Sequence, residues 1–231
     1  MTKRLIRLFC ASLAITLILT GAAVQAAKPK VETGPKAEVT HDGLYRVDHT
    51  KLARVWVKPD LDLSKYNKII LHDAGIKYRD VKPESAMLAE ARGDTQFAIT
   101  PKEREKLAKE VYAVFHKELA KSKRYTITDT PGPDVLRIDG MLIDVVSFVP
   151  PDSVGTRTLL LRSIGEATLV LELSDSVTSE ALARAADRQS GDQGGMGVRL
   201  QMRSEEWGEV KRVLHEWALI LRKGLDELSA L

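Results

Sequence analysis

The 231-residue sequence contains a single cysteine, Cys10. It lies inside an N-terminal apolar run behind Leu8-Phe9, not behind the small residues that lipoprotein processing requires. Neither a lipid tether nor a disulfide is therefore expected. Aromatic residues make up only 5% of the chain, too few for a carbohydrate-binding stripe of rings. The apolar run from Leu8 to about Ala23 falls short of the ~20 residues of a spanning helix. A surplus of one charge is missing too. The 35 basic residues include Lys3, Arg4 and Arg7 of the N-terminus, and the rest of the chain holds 32 against 32 acidic ones. That balance gives no support for nucleic acid or an anionic membrane surface as partner.

Signatures of catalysis are equally scarce. There is no G-x-S-x-G elbow, and Ser122-Lys123-Arg124 has the wrong spacing for S-x-x-K. The cluster Gly191-Asp192-Gln193-Gly194-Gly195-Met196-Gly197 lacks the Gly-Lys-Ser/Thr ending of a phosphate loop and does not match G-x-G-x-x-G, so it reads as a flexible loop. His41, His49, His72, His116 and His215 form no H-x-x-x-H pair. His41-Asp42 and His72-Asp73 would contribute to a metal site only if folding joined them. Asp139 and Asp144, five apart on one strand, face opposite ways unless a bulge intervenes. No cofactor is implied.

What is present starts with an export signal. Lys3, Arg4 and Arg7 precede the apolar run, which closes on Val24-Gln25-Ala26, a small-residue cleavage site. The expected organisation is a signal peptide over 1–26, a flexible Lys/Pro/Gly/Thr-rich leader over 27–42, and one domain over 43–231 acting in the periplasm. Strands are expected at Val55–Val57, Lys68–His72 and Tyr125–Thr128, with a longer one from Val135 to Phe148 ended by Pro150-Pro151. Gly140 in that strand points to a bulge or close packing. From Ile76 to Thr100 the pattern reads as loop, with one helical turn around Met87–Ala91. Another long strand is expected from Thr158 to Leu173. Thr100, Pro101 and Glu103 make a capping box for a helix to Lys121, with Leu107, Val111, Val114, Phe115 and Leu119 on one stripe. Ser204 caps a final helix to Leu228 in which Trp207, Val210, Leu214, Trp217, Leu221 and Leu225 recur at helical spacing; both tryptophans read as core. Ser190–Arg203 reads as loop. Ser179–Arg188 is contested, because its alanines favour helix while its place after the Asp175-Ser176 turn favours a return strand. Leu159-Leu160-Leu161 exceeds what one alternating face can bury. It is either a two-sided core strand or an exposed patch, and as a patch it is the candidate partner contact.

The stretch Val55-Trp56-Val57-Lys58-Pro59-Asp60, then Leu63 to Ile70, together with Trp207-Gly208-Glu209-Val210, Glu216-Trp217-Ala218 and Leu225-Asp226, resembles the bacterial envelope family DUF3313, a domain of unknown function. Leu171–Asp175 before an Ala-rich return segment fits the same pattern and favours strand for Ser179–Arg188. The resemblance implies an exported, often lipidated α+β protein without established activity; the lipidated pattern is not met here. The expected fold is α+β, a mainly antiparallel sheet with two long amphipathic helices packed on one face. The expected role is a soluble accessory or interaction protein of the envelope, with another envelope component as partner. The alternative is a hydrolase or metal-dependent enzyme whose site assembles from loop residues. Intact mass of the exported protein checks the processing: it should begin at Ala27, with no diacylglycerol adduct on Cys10 and no retained residues 1–26.

Overall fold

A computed structural model describes residues 29–81, 96–149, 159–161, 164–190, 198–200 and 203–228. In chain order the elements are β1 (Lys30–Val31), β2 (Tyr45–Asp48), β3 (Arg54–Val57), β4 (Lys68–Tyr78), α1 (Pro101–Leu119), β5 (Thr126–Ile127), β6 (Val135–Ser147), β7 (Leu159–Leu161), β8 (Gly165–Asp175), β9 (Ala181–Ser190), β10 (Val198–Leu200) and α2 (Arg203–Leu228). Eight strands form one sheet in the order β1-β2-β3-β9-β8-β6-β4-β5. Its pairings are antiparallel apart from β4 with β5 and β4 with β6, which are parallel. The fold is α+β. The sheet begins at Lys30, within the stretch expected as leader.

Sequence and structure agree where local chemistry is strong. Thr100 caps α1, with the Glu103 N–H donating to Thr100 Oγ1 at 3.3 Å and the Thr100 N–H donating back to Glu103 Oε2 at 3.1 Å. The contested segment is strand β9, pairing with β8 across the Asp175 turn. Its alanines do not make it helical, because Ala183 and Ala185 alternate with Arg184 and Ala186 and are buried in the core. Tertiary burial overrides propensity.

Three expectations are corrected. Strand β4 runs on through the expected loop to Tyr78, since β6 offers it a parallel partner; a register shift between Asp73 and Gly75 lies beside Gly140, and Gly75 takes φ +99°. The expected turn at Met87–Ala91 lies outside the described residues. The expected strand from Thr158 to Leu173 is two separate strands. Leu159–Leu161 pairs not with β6 but with β10, inside the stretch expected as loop, in a two-stranded ribbon of its own. β8 starts at Gly165, where a Cβ would lie 2.4 Å from the Val146 carbonyl oxygen; glycine lets β8 close on β6 there. Lastly, α2 starts at Arg203, so Ser204 lies inside its first turn.

Leu136, Ile138 and Leu142 of β6 and Leu169, Leu171 and Leu173 of β8 share a core with Leu107, Phe115 and Leu119 of α1 and Leu214, Trp217, Leu221 and Leu225 of α2. The helices run parallel, as their contacts step forward together. Lys106 lies over Trp207, Glu110 pairs with Lys211 at 3.2 Å, Glu118 with Arg222 at 3.0 Å, and Ser122 with Asp226 at 2.6 Å. Glu118 is buried. Burial pushes its pKa up, but Lys121 and Arg222 outweigh that and hold it below the usual range. No described helix is long and apolar enough to cross a membrane.

Asp175 closes the β8–β9 turn. Its carboxylate accepts the Val177 and Thr178 N–H groups at 2.9 and 3.0 Å, the Tyr66 hydroxyl at 2.8 Å and the Lys65 ammonium at 3.0 Å. The Thr178 N–H, then Lys65 and Tyr66, hold its pKa far below the ordinary carboxylate value. Its contribution to stability is therefore complete above the unfolded-state pKa of about 4 and disappears as pH falls toward the folded value. Thermal melting of Asp175→Asn should show lower stability at pH 7 and a shallower decline from pH 5 to pH 2 than the unmodified protein.

Candidate functional site

An apolar cleft of about 140 Å³ opens where the first turns of both helices meet the ends of β6 and β8. Helical spacing supplies one wall, since Trp207, Val210, Val213, Leu214 and Trp217 recur every three or four residues on one side of α2. Ile99 and Leu107 from the start of α1, Leu142, Val145, Val146 and Val149 from β6 and beyond, and Ile164 complete the lining. Both Val145 and Val146 are buried, because the β6–β8 register shifts between Ile143 and Val146. Asp144, with φ 57°, is the residue that absorbs the shift.

Each polar side chain on the cleft wall already has a partner. Glu103 is held in the capping box, and Glu209 accepts from Arg212 at 2.8 Å. Ser147 donates to the Val149 carbonyl at 3.1 Å, and Gln189 donates to Asp187 at 2.9 Å. Glu166 is bound by Arg188 and, at 3.1 Å, by Arg79. Burial raises the pKa of Glu166, but those two guanidinium groups bring it below normal. The cleft floor is fixed by Asp187, which is buried and accepts the Trp217 indole N–H at 2.7 Å and the Ala53 N–H at 2.8 Å. Nothing in the sequence marks Asp187 as special. Its alternation with Ala183 and Ala185 is the one signal that a carboxyl points into the core.

The opposite side of the sheet carries ion pairs. Arg79 grips Asp144 with two bonds of 2.7 and 2.6 Å, which lowers the Asp144 pKa. Arg184 joins Glu172 at 2.7 Å to Asp42 at 2.8 Å. The Thr40 hydroxyl, then Arg184, hold the Asp42 pKa at about 2. Arg137 binds Asp139 at 2.7 Å, and His72 Nδ1 lies 2.6 Å from the same carboxylate. Asp139 and Asp144 thus belong to separate networks and form no dyad. His72 is engaged by Asp139, and His41 lies 3.9 Å from Asp42. Among the described residues no three His, Cys, Asp or Glu side chains are placed to hold a metal ion.

Of the candidate partner contact Leu159-Leu160-Leu161, the backbone is strand β7; what its side chains touch lies outside the described residues. The pairing sets Leu161 opposite Val198, Leu160 opposite Arg199 and Leu159 opposite Leu200. In the chain β7 falls between cleft-lining Val149 and Ile164, and β10 between cleft-lining Gln189 and Trp207. The glycine cluster 191–197 lies outside the described residues. Of the two tryptophans expected in the core, Trp217 is 1% exposed, whereas Trp207 is half-buried on the cleft wall.

The chain belongs to the family described as "Protein of unknown function (DUF3313)", which matches residues 39–220. No curated protein matches it. Among solved structures, a DUF330 protein from Xanthomonas campestris has a TM-score of 0.41 at 8% identity, covering 75% of this chain and 91% of its own. The PelC dodecamer from Paraburkholderia phytofirmans has a TM-score of 0.34 at 7% identity, covering 84% and 98%. A hypothetical protein from Chlamydia trachomatis has a TM-score of 0.35 at 10% identity, covering 71% and 99%. These likenesses are too distant to say anything of function.

Two substitutions at Trp217 separate its packing from its hydrogen bond. Trp217→Ala should cost about 3–5 kcal/mol, the usual range for deleting a buried large aromatic. Trp217→Phe keeps most of the volume but removes a donor from Asp187, and should cost about 1–3 kcal/mol. Chemical denaturation of both variants measures the difference.

Proposed function

We propose that this protein is an exported accessory protein of the bacterial envelope that binds another envelope component through the cleft and the β7–β10 ribbon. The observation that carries the reading is the cleft itself, open, predominantly apolar, and with its polar side chains already engaged within the protein. Burial of apolar surface is what such a wall can offer, and binding is what that surface does. In this reading both helices cover one face of the sheet, the arrangement that puts their first turns at one end and leaves the cleft between them. The mature protein works in the periplasm, where a cysteine-free body depends on burial for its stability. Leu159, Leu160 and Leu161 of β7 are the proposed partner contact.

Replacing Leu161 with Asp puts a charge in the proposed contact. Thermal melting and in-envelope crosslinking of this variant test the reading together. Unchanged melting with lost crosslinks is expected. A collapse of melting would make these leucines core, and intact melting with intact crosslinks would remove the ribbon from the binding surface.

A further inference from the structure

We propose that the exposed crest of α1 is a docking surface for an anionic lipid bilayer, met at its phosphate head groups. The inference rests on the reading above for its envelope location and does not involve the cleft.

The spacing of lysines makes the crest. Lys102, Lys106, Lys109 and Lys117 are separated by four, three and eight positions, which puts them within about 80° of one another around the helix axis. Leu107, Val111 and Phe115, packed into the core, lie on the opposite side. All four lysines are exposed, as is Ala113, which fills the same line between Lys109 and Lys117. From Lys102 to Lys117 the row runs about 22 Å along the helix. Residues 101–124 hold eight basic side chains against four acidic ones, an excess that the balanced total of the chain conceals.

The acids of α1 are already used. Glu105 pairs with Lys109 at 2.6 Å, Glu110 with Lys211 of α2 at 3.2 Å, and Glu118 is shared between Lys121 and Arg222. Glu103 is held in the capping box. Among the described residues no carboxylate stands within salt-bridge distance of Lys102, Lys106 or Lys117, nor of exposed Lys123 just past the helix. Lys106 is held over the Trp207 ring, its ammonium 3.8 Å from the centroid. A row of unpaired cations attracts a dense array of anions. A helix crest is convex and has no walls to grip a narrow polymer, so the array it fits is a plane. The anionic leaflet of a bilayer is such a plane, and each lysine brought near it adds to the attraction. The crest offers lysine and alanine, while the exposed Tyr112 lies on its flank. The contact is therefore one of charge, made without inserting side chains into the hydrocarbon.

The test is sedimentation of the mature exported protein with vesicles of phosphatidylglycerol and phosphatidylethanolamine. Binding is expected at about 50 mM salt and release at about 0.5 M, where screening cuts the reach of each charge to a few ångströms. Vesicles of phosphatidylcholine alone should not bind. Lys102→Gln, Lys106→Gln and Lys117→Gln should each weaken binding about fivefold, and the triple variant about a hundredfold. Lys51→Gln, an equal loss of charge at an exposed position between β2 and β3, should bind as the unmodified protein does. Glutamine is a good helix former, so the variants keep α1, and circular dichroism verifies it. Absence of salt-sensitive binding, equal binding to phosphatidylcholine, or an equal loss in Lys51→Gln overturns the proposal. Polyglutamate bound as tightly as the vesicles at equal charge makes the occupant a linear polyanion and overturns it too. Failure on vesicles, with crosslinks still lost in Leu161→Asp, removes this inference and leaves the cleft reading standing. Vesicle binding as expected, with crosslinks indifferent to Leu161→Asp, supports the crest and removes the ribbon contact instead.

Discussion

A carboxyl inside a protein must be given its hydrogen bonds or it destabilises the fold by more than it contributes. Asp187 meets that demand with the indole N–H of Trp217 and the backbone N–H of Ala53. The two bonds connect strand β9 to the long C-terminal helix and to the loop that feeds β3. An indole is a large apolar body with one polar tip, so Trp217 fills the core and satisfies Asp187 at once. The rotation of α2 about its axis follows from this single contact. With Trp217 directed at β9, Leu214, Val213 and Val210 necessarily line the same side one and two turns earlier, and that side is the cleft wall.

Other polar contacts anchor what Asp187 leaves free. Glu118 and Ser122 hold Arg222 and Asp226, which ties together the distal halves of the two helices. Asp175 fixes the turn that brings β9 back along β8, and so sets the register that places Asp187 inward. On the charged side of the sheet Arg79, Arg137, Arg184 and Arg188 each meet a carboxylate. In the N-terminal halves of both helices Leu107, Val210, Val213 and Leu214 line the cleft, and there it opens.

Much of this architecture was legible in the order of residues. The capping box at Thr100, the stripes of both helices, the turn at Asp175 and the alternation of β6 and β8 are local patterns, and local patterns survive in a sequence. What escaped depends on distant pairing. Strand β4 reaches Tyr78 because β6 lies beside it, a fact that resides more than sixty positions away. The ribbon of Leu159–Leu161 with Val198–Leu200 joins segments that look like a strand start and a loop end. The cleft draws on four elements, and no window of sequence contains it. Asp187 shows the limit most clearly, because an aspartate among alanines and arginines looks like any surface residue until its indole partner is known.

The dependence of the fold on the Asp187–Trp217 contact is open to direct measurement. Hydrogen exchange at the indole nitrogens, followed by NMR on the mature protein, distinguishes Trp217 from Trp56 and Trp207. The Trp217 indole proton should be the slowest of the three by orders of magnitude, exchanging only when the helix leaves the sheet in global unfolding. Exchange of that proton as fast as at exposed positions would show that the contact opens freely, and would contradict the account.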